Sequence, residues 1–172
     1  MQPGSIHLVA QTPERLRALI EGPEVFERRF GIRVADGVRD FLVGPEVSAD
    51  FLARLNDGAI ADPWKDGFAV VHAADNVIIG LCSFTGPPSD AVVEIAYGIA
   101  PAYRSRGFAS AAARALIAYA FASGQVRTIR AHTLPEHSAS TSVLLKCGFT
   151  QIGEVKNFED GLVWLWEMQD KV

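Results

Sequence analysis

Residues 92–122 constrain this chain more than any other stretch. An apolar run, Val92-Val93-Glu94-Ile95-Ala96-Tyr97-Gly98-Ile99, leads into Arg104-Ser105-Arg106-Gly107-Phe108-Ala109, and an alanine-rich segment continues from Ser110 to Ala122. The first reads as a strand and the last strongly favours helix. A basic loop between them aims backbone N–H groups and the positive helix end at one point in space, which suits an anionic diphosphate. Gly107 lets the main chain approach such a ligand without a Cβ in the way.

The spacing separates the phosphate-binding motifs. A nucleotide P-loop requires G-x-x-x-x-G-K-[ST], and a dinucleotide fold requires three glycines between its strand and helix; neither pattern is present. Arg104, Gly107 and Ala109 instead spell [RQ]-x-x-G-x-[GA], downstream of Ile99-Ala100-Pro101. Further on stand Ala131-His132-Thr133-Leu134-Pro135-Glu136-His137-Ser138-Ala139-Ser140 and Val143-Leu144-Leu145-Lys146-Cys147-Gly148-Phe149. With the strand Glu94-Ile95-Ala96-Tyr97-Gly98-Ile99, these ordered motifs resemble the GNAT N-acetyltransferase superfamily over residues 92–149, about a third of the chain. The likeness is strongest to the branch that includes acetyltransferases of ribosomal-protein N-termini.

Elsewhere, Ile6–Val9 reads as a strand. Thr12-Pro13-Glu14 opens a helix to about Glu21, Pro23–Phe30 forms a second closed by Gly31, and Ser48–Leu55 a third. Residues 32–47 are loop-like. Phe68–Ala73 and Val77–Phe84 form a hairpin around Ala74-Asp75-Asn76, and Gly86–Asp90 turns the chain into the Glu94 strand. Helix 107–122, strand 126–132, helix 138–147 and strands 149–156 and 162–168 complete the order. This succession predicts one α+β domain over 1–172, with a mixed, mostly antiparallel central sheet and helices on both faces. The resemblance implies that the strands bearing Glu94 and Ala131 splay apart and hold the pantetheine arm of acetyl-CoA between them.

Composition narrows the class. With 172 residues, nearly half of them apolar, the chain suffices for one well-buried core. A net charge of −4 without a Lys/Arg block speaks against a nucleic-acid partner. Cys82 and Cys147 sit in apolar runs and read as buried hydrophobes, neither a metal pair nor a disulfide framework. No leader pattern or membrane-length run is seen, so the expected location is cytoplasmic, with no membrane partner. His7, His72 and His132 have no metal-ligand spacing, and no metal is expected. The expected partner is an amine substrate, a small molecule or a protein N-terminus, and a homodimer is left open.

Acetyl transfer from a thioester requires a neutral amine, a stabilised oxyanion and a departing thiolate. Deprotonating a lysine-like ammonium at pH 7 costs about 4–5 kcal/mol, an α-ammonium only about 1. Glu94, an acid inside an apolar strand, is the candidate base, its pKa expected to rise on burial. Alternation puts it on one face with Ala96 and Gly98, opposite Ile95 and Tyr97. The resemblance assigns the oxyanion and pantetheine contacts to the main chain at Ile99, where the family's strand bulges. It assigns the diphosphate to Ser105, Arg106, Gly107, Phe108 and Ala109, with Arg104 and Arg106 adding charge. Ser140 matches the serine placed near the sulfur. His137 stands where the family has asparagine and is expected to hold the pantetheine, with a second base or a mere helix start as the other readings; Leu144 stands where many members carry a tyrosine acid. Trp64, Phe26 and Phe30 are candidates for an acceptor wall, with core packing as the competing role. The expected function is acetyl-CoA-dependent N-acetylation by direct attack in a ternary complex; the alternative is a non-catalytic acyl-CoA-binding or regulatory module of the same fold.

Overall fold

The computed structural model describes residues 5–45, 47–56, 58–157 and 161–170. Residues 1–4, on which the reading of the N-terminus partly rests, lie outside them. Strand β1 (Ile6–Ala10) precedes helices α1 (Pro13–Glu21) and α2 (Pro23–Phe30). Both helices begin with proline, which lacks the N–H that a first turn would leave unbonded. Thr12 caps α1 by accepting from the Arg15 N–H at 3.1 Å, and Gly31, at φ 69°, ends α2.

Residues 32–47 are not wholly loop. They contain β2 (Arg33–Val34) and a single helical turn, α3 (Asp40–Val43). Both are too short for hydrophobic periodicity to register. Next come α4 (Ala49–Asn56), α5 (Pro63–Asp66), and the hairpin of β3 (Phe68–His72) and β4 (Val77–Phe84), whose turn puts Asn76 at φ 51°. β5 (Val92–Ile99), α6 (Phe108–Ala122), β6 (Thr128–Thr133), α7 (Ala139–Cys147), β7 (Thr150–Asn157) and β8 (Gly161–Gln169) follow, each close to its expected span.

The strands form a mixed sheet in the order β1-β3-β4-β5-β6-β8-β7, antiparallel except at β5–β6, with β2 added parallel to β4. β5 pairs with Gly80–Phe84 and leaves the start of β4 open, so β2 pairs with Val77 and Ile78 there. One core lies under α6 and α7, with Leu116, Ile129, Leu144 and Trp166 almost wholly buried; the other lies under α1 and α2, with Leu16, Leu19, Phe26 and Val71. No helix among the described residues is long and apolar enough to cross a membrane.

The parallel pairing of β5 and β6 covers only Val92↔Thr128, Val93↔Ile129 and Glu94↔Arg130. Past Glu94 the strands part: β5 stays with β4 as far as Ile99, while β6 continues along β8 to Thr133.

Candidate active site

The antiparallel register of β4 and β5 decides which backbone groups face the gap. Thr85 N–H donates to Glu94 O and Ala100 N–H to Ile79 O, so Phe84↔Ile95 and Gly80↔Ile99 are pairs that exchange no hydrogen bonds. Alternation then turns the N–H and C=O groups of Tyr97 and Ile99 away from β4 and into the gap. The bulge that the resemblance put on the Ile99 strand is not there, because the β4–β5 register runs unbroken from 95 to 99. The register slips instead between β3 and β4, where Val70↔Gly80 is followed by Val71↔Ile78 and Ile79 is the extra residue. Ile99 therefore offers its N–H through alternation alone.

At the end of β5 the chain makes a 3-10 turn over Pro101–Tyr103 and enters the basic loop. Arg104 Nε donates to Ile99 O at 3.0 Å and ties loop to strand, and the Arg106 guanidinium stands 5.4 Å above the Tyr103 ring. Gly107 is the N-cap of α6 without a side-chain cap bond. The first helical bond runs from Ala111 N–H to Gly107 O, which leaves the N–H groups of Phe108, Ala109 and Ser110 without helical acceptors. Gly107 sits at φ 85°, and a Cβ there would meet nothing within 4 Å, so glycine serves backbone conformation here rather than space. Ser105, at φ 63°, takes the same left-handed region without being glycine.

These elements border a cleft of about 710 Å³, lined by Tyr97, Gly98 and Ile99, by residues 103–105 and 107–110 but not Arg106, and by Ser140, Val143 and Lys146 of α7. The Ser138 hydroxyl and the Thr141 side chain form a reciprocal cap at the start of α7. Across the gap, the Tyr97 hydroxyl donates to Ser140 O at 3.3 Å. Burial, and after it the Cys147 thiol, pushes the Tyr97 phenol above its ordinary value, so it stays a protonated donor. Tyr97 was not singled out by sequence reasoning; only the tertiary contact reveals it.

His137 does not line the cleft. Its ring is exposed and meets Trp164 edge-on, with centroids 5.4 Å apart. Glu94 lies on the face of Ala96 and Gly98, as alternation requires, yet it is not buried: its side chain is 32% exposed and Oε1 lies 2.6 Å from His132 Nδ1. His132, read as structural from the sequence, is thus the partner of Glu94 across the strands at the point where they part.

A second cavity, of about 470 Å³, opens on the α1–α4 side of the sheet and shares Phe41, Tyr97 and Gly98 with the first. The cross-strand rows Leu81↔Gly98 and Ser83↔Ala96 lie along it, and Glu94 stands one row further on. The proposed aromatic wall does not border it. Phe26 and Phe30 pack together at 4.7 Å beneath the Arg15 guanidinium, and Trp64 packs on Phe84 and Tyr119 at 4.6 and 5.4 Å. Phe41 of α3 and Phe51 of α4 line it instead.

A basic loop thus stands at a helix N-terminus beside parting strands, and two cavities share Phe41, Tyr97 and Gly98. A family model described as acetyltransferase (GNAT) domain matches residues 30–150. The chain belongs to the GNAT acetyltransferase family. The uncharacterized N-acetyltransferase p20 of Bacillus licheniformis is 27% identical over 111 residues, which span 64% of this chain and 62% of the length of that relative. Among solved structures, RimJ of Mycobacterium smegmatis in complex with CoA-disulfide is 17% identical with a TM-score of 0.66, over 98% of this chain and 84% of RimJ. A spermidine N-acetyltransferase SpeG chimera from Vibrio cholerae and hSSAT is 19% identical with a TM-score of 0.64, over 95% of each chain. The GNAT fold thus extends through the described residues. Among those residues no group of three His, Cys, Asp or Glu is arranged to hold a metal ion.

Proposed function

We propose that this protein transfers an acetyl group from acetyl-CoA to a primary amine, by direct attack inside a ternary complex, with one domain carrying both sites. The observation that carries the reading is the meeting of two cavities at Tyr97–Gly98, one entered from the phosphate loop and the other from the opposite face of the sheet. A shared junction suits direct transfer between two bound substrates.

Acetyl-CoA supplies the activated acyl group and a thiolate leaving group. Backbone N–H groups of residues 105–109 hold its diphosphate at the start of α6, and the Arg104 and Arg106 guanidinium groups add charge. The N–H groups of Tyr97 and Ile99 hold the pantetheine and stabilise the oxyanion that forms as amine nitrogen bonds to carbonyl carbon, worth about 3 kcal/mol per donor. Ser140 donates a hydrogen bond to the sulfur as the carbon–sulfur bond breaks. Glu94, with His132 on its carboxylate, receives the amine's proton. Four residues of strand, about 13 Å, separate its Cα from Gly98, farther than its side chain reaches, so the proton arrives through relayed water. His137 stands at the rim, against Trp164.

Initial-velocity kinetics with acetyl-CoA and an amine, followed by thiol release, test this reading. Intersecting double-reciprocal lines are expected. Parallel lines would replace direct attack with an acyl-enzyme. CoA binding without thiol release for any amine would establish the non-catalytic module instead. Gly107→Glu, which puts bulk and negative charge at the loop, should abolish CoA binding in isothermal titration while circular dichroism stays native. Wild-type affinity there would remove the diphosphate from this loop.

A further inference from the structure

The second cavity has a chemical bias. Its walls on the α1–α4 side are apolar: Leu16, Phe41, Leu42 and Phe51 face Leu81 and the small residues of β5. Asp66 is the sole carboxylate among its described lining residues, and it is already committed. Arg54 Nη1 donates to Asp66 Oδ1, Arg54 Nη2 lies 3.4 Å from Oδ2, and Asp62 N–H donates to Oδ2 at 2.8 Å; the Asp66 side chain has no exposed surface. The other charged lining residue, Lys65, is a cation. A second ammonium on an acceptor would thus meet a neutralised carboxylate and a positive charge.

Gln11 adds a specific polar group to the same wall. It is 1% exposed, and its Oε1 accepts from Arg15 Nε at 2.9 Å, which fixes the orientation of the amide. Its Nε2 has no hydrogen-bond partner. A buried donor left unpaired costs about 1–3 kcal/mol, and an occupant that draws the amide to the cavity surface and offers it a neutral oxygen acceptor relieves that cost. Apolar walls with one oriented polar group are the usual composition of a pocket for an organic ligand.

We infer that the acceptor is a monocationic amine attached to a large apolar side group and adjacent to a carbonyl, as in an α-amino amide or a peptide N-terminus whose first residue is aromatic or branched aliphatic. The side group fills the space among Leu16, Phe41 and Phe51, the carbonyl accepts from Gln11 Nε2, and the amine lies toward Gly98, where the two cavities join. This rests on the acetyl-transfer reading and narrows it to a substrate class.

The test compares four amines in the thiol-release assay at pH 7: L-phenylalaninamide, glycinamide without the ring, 2-phenylethylamine without the carbonyl, and spermidine. Each is also titrated calorimetrically into protein saturated with CoA, a readout independent of turnover. Phenylalaninamide is expected to exceed glycinamide in kcat/KM by at least about tenfold, the worth of burying a phenyl side chain. Its lead over 2-phenylethylamine combines the easier deprotonation of an α-amine with the carbonyl contact, so Gln11→Leu should shrink that lead by about fivefold without abolishing it and should keep the first preference. Phe51→Ala should reduce the preference for the ring, and Phe51→Leu should restore most of it. A dipeptide amide with phenylalanine at its N-terminus, compared with free phenylalaninamide, separates a polypeptide acceptor from a small one. Equal or better turnover and binding of spermidine or glycinamide would overturn the inference and leave acetyl transfer standing. Thiol release from no amine at all, with CoA bound, would overturn both.

Discussion

Gly98→Ala probes the junction on which the two-substrate reading depends. A Cβ on Gly98 would lie 2.7 Å from Phe41 Cε1, 2.8 Å from Cζ and 3.0 Å from Cδ1. Carbon atoms at rest are about 3.5 Å or more apart, so the ring must withdraw by about 0.7 Å or the strand must shift. The strand is held by its unbroken ladder to β4, and Gly98 is not among the left-handed glycines, so the misfit falls on the Phe41 ring rather than on the backbone. Overpacking of this kind costs about 1–3 kcal/mol. For a chain of this size each kcal/mol moves Tm by about 2–4 °C, giving a fall of about 2–12 °C. Because Phe41 borders both cavities, its displacement should also reduce kcat/KM for the amine, by about tenfold, with a smaller effect on CoA affinity. Thermal melts and initial-velocity assays on Gly98→Ala, Phe41→Ala and the double variant give the measurement. The double variant should be destabilised by about 1–2 kcal/mol less than the sum of the singles, because removing the ring makes room for the methyl. Wild-type Tm and kinetics in Gly98→Ala, or strict additivity, would refute the contact and its place at the junction.

Glu94→Gln should lower kcat most at low pH, with partial rescue as pH rises and CoA binding nearly unchanged; an unaltered pH–rate profile would remove Glu94 from proton transfer. His137→Asn, at a ring resting on Trp164 outside the cleft, should change kcat and the KM for acetyl-CoA by no more than about threefold, and a hundredfold loss of kcat would return that ring to the chemistry. Burial pushes the Cys82 thiol up to about 12 from an ordinary value of 9.0. Its folded pKa is the higher, so the stability it contributes is complete below about pH 9 and is lost as pH rises from there toward 12. Denaturation midpoints against pH should fall less steeply in that window for Cys82→Ala than for wild type, and identical slopes would refute the assignment.

The loop-and-helix lining of the first cleft was legible in the sequence because it is built locally. The run from Tyr97 to Ser110 and the first turns of α7 supply most of the cleft, and turn residues, caps and helix composition are short-range properties that survive in one sequence. His132 was missed for the opposite reason. An isolated histidine on an exposed strand face has nothing local to mark it, and its contact with Glu94 exists only because β6 lies parallel to a strand 38 residues earlier. Tyr97 and Ser140 meet across a still longer separation.

The second cavity shows why Trp64, Phe26 and Phe30, for which core packing is the favoured role, pack elsewhere while other aromatic rings line it. Its lining draws on residues from Gln11 to Gly98, taking one or two from each of α1, α3, α4, α5 and β3 besides those of β4 and β5. Phe41 comes from a helix of a single turn in a segment without periodicity, so its direction follows from α3 seating on the sheet rather than from the α3 sequence itself. Hydrophobicity marks Phe26 and Phe41 alike as residues to bury, and tertiary packing puts one in the core and the other over Gly98. The same contrast applies to charge: Asp66 has the appearance of an ammonium anchor until Arg54 is found on its carboxylate. On the proposed reading the second cavity depends on long-range pairings, Phe41 with Gly98 and Arg54 with Asp66, and changing one member of either pair should alter kcat/KM ratios among amine acceptors before it alters CoA affinity in titration.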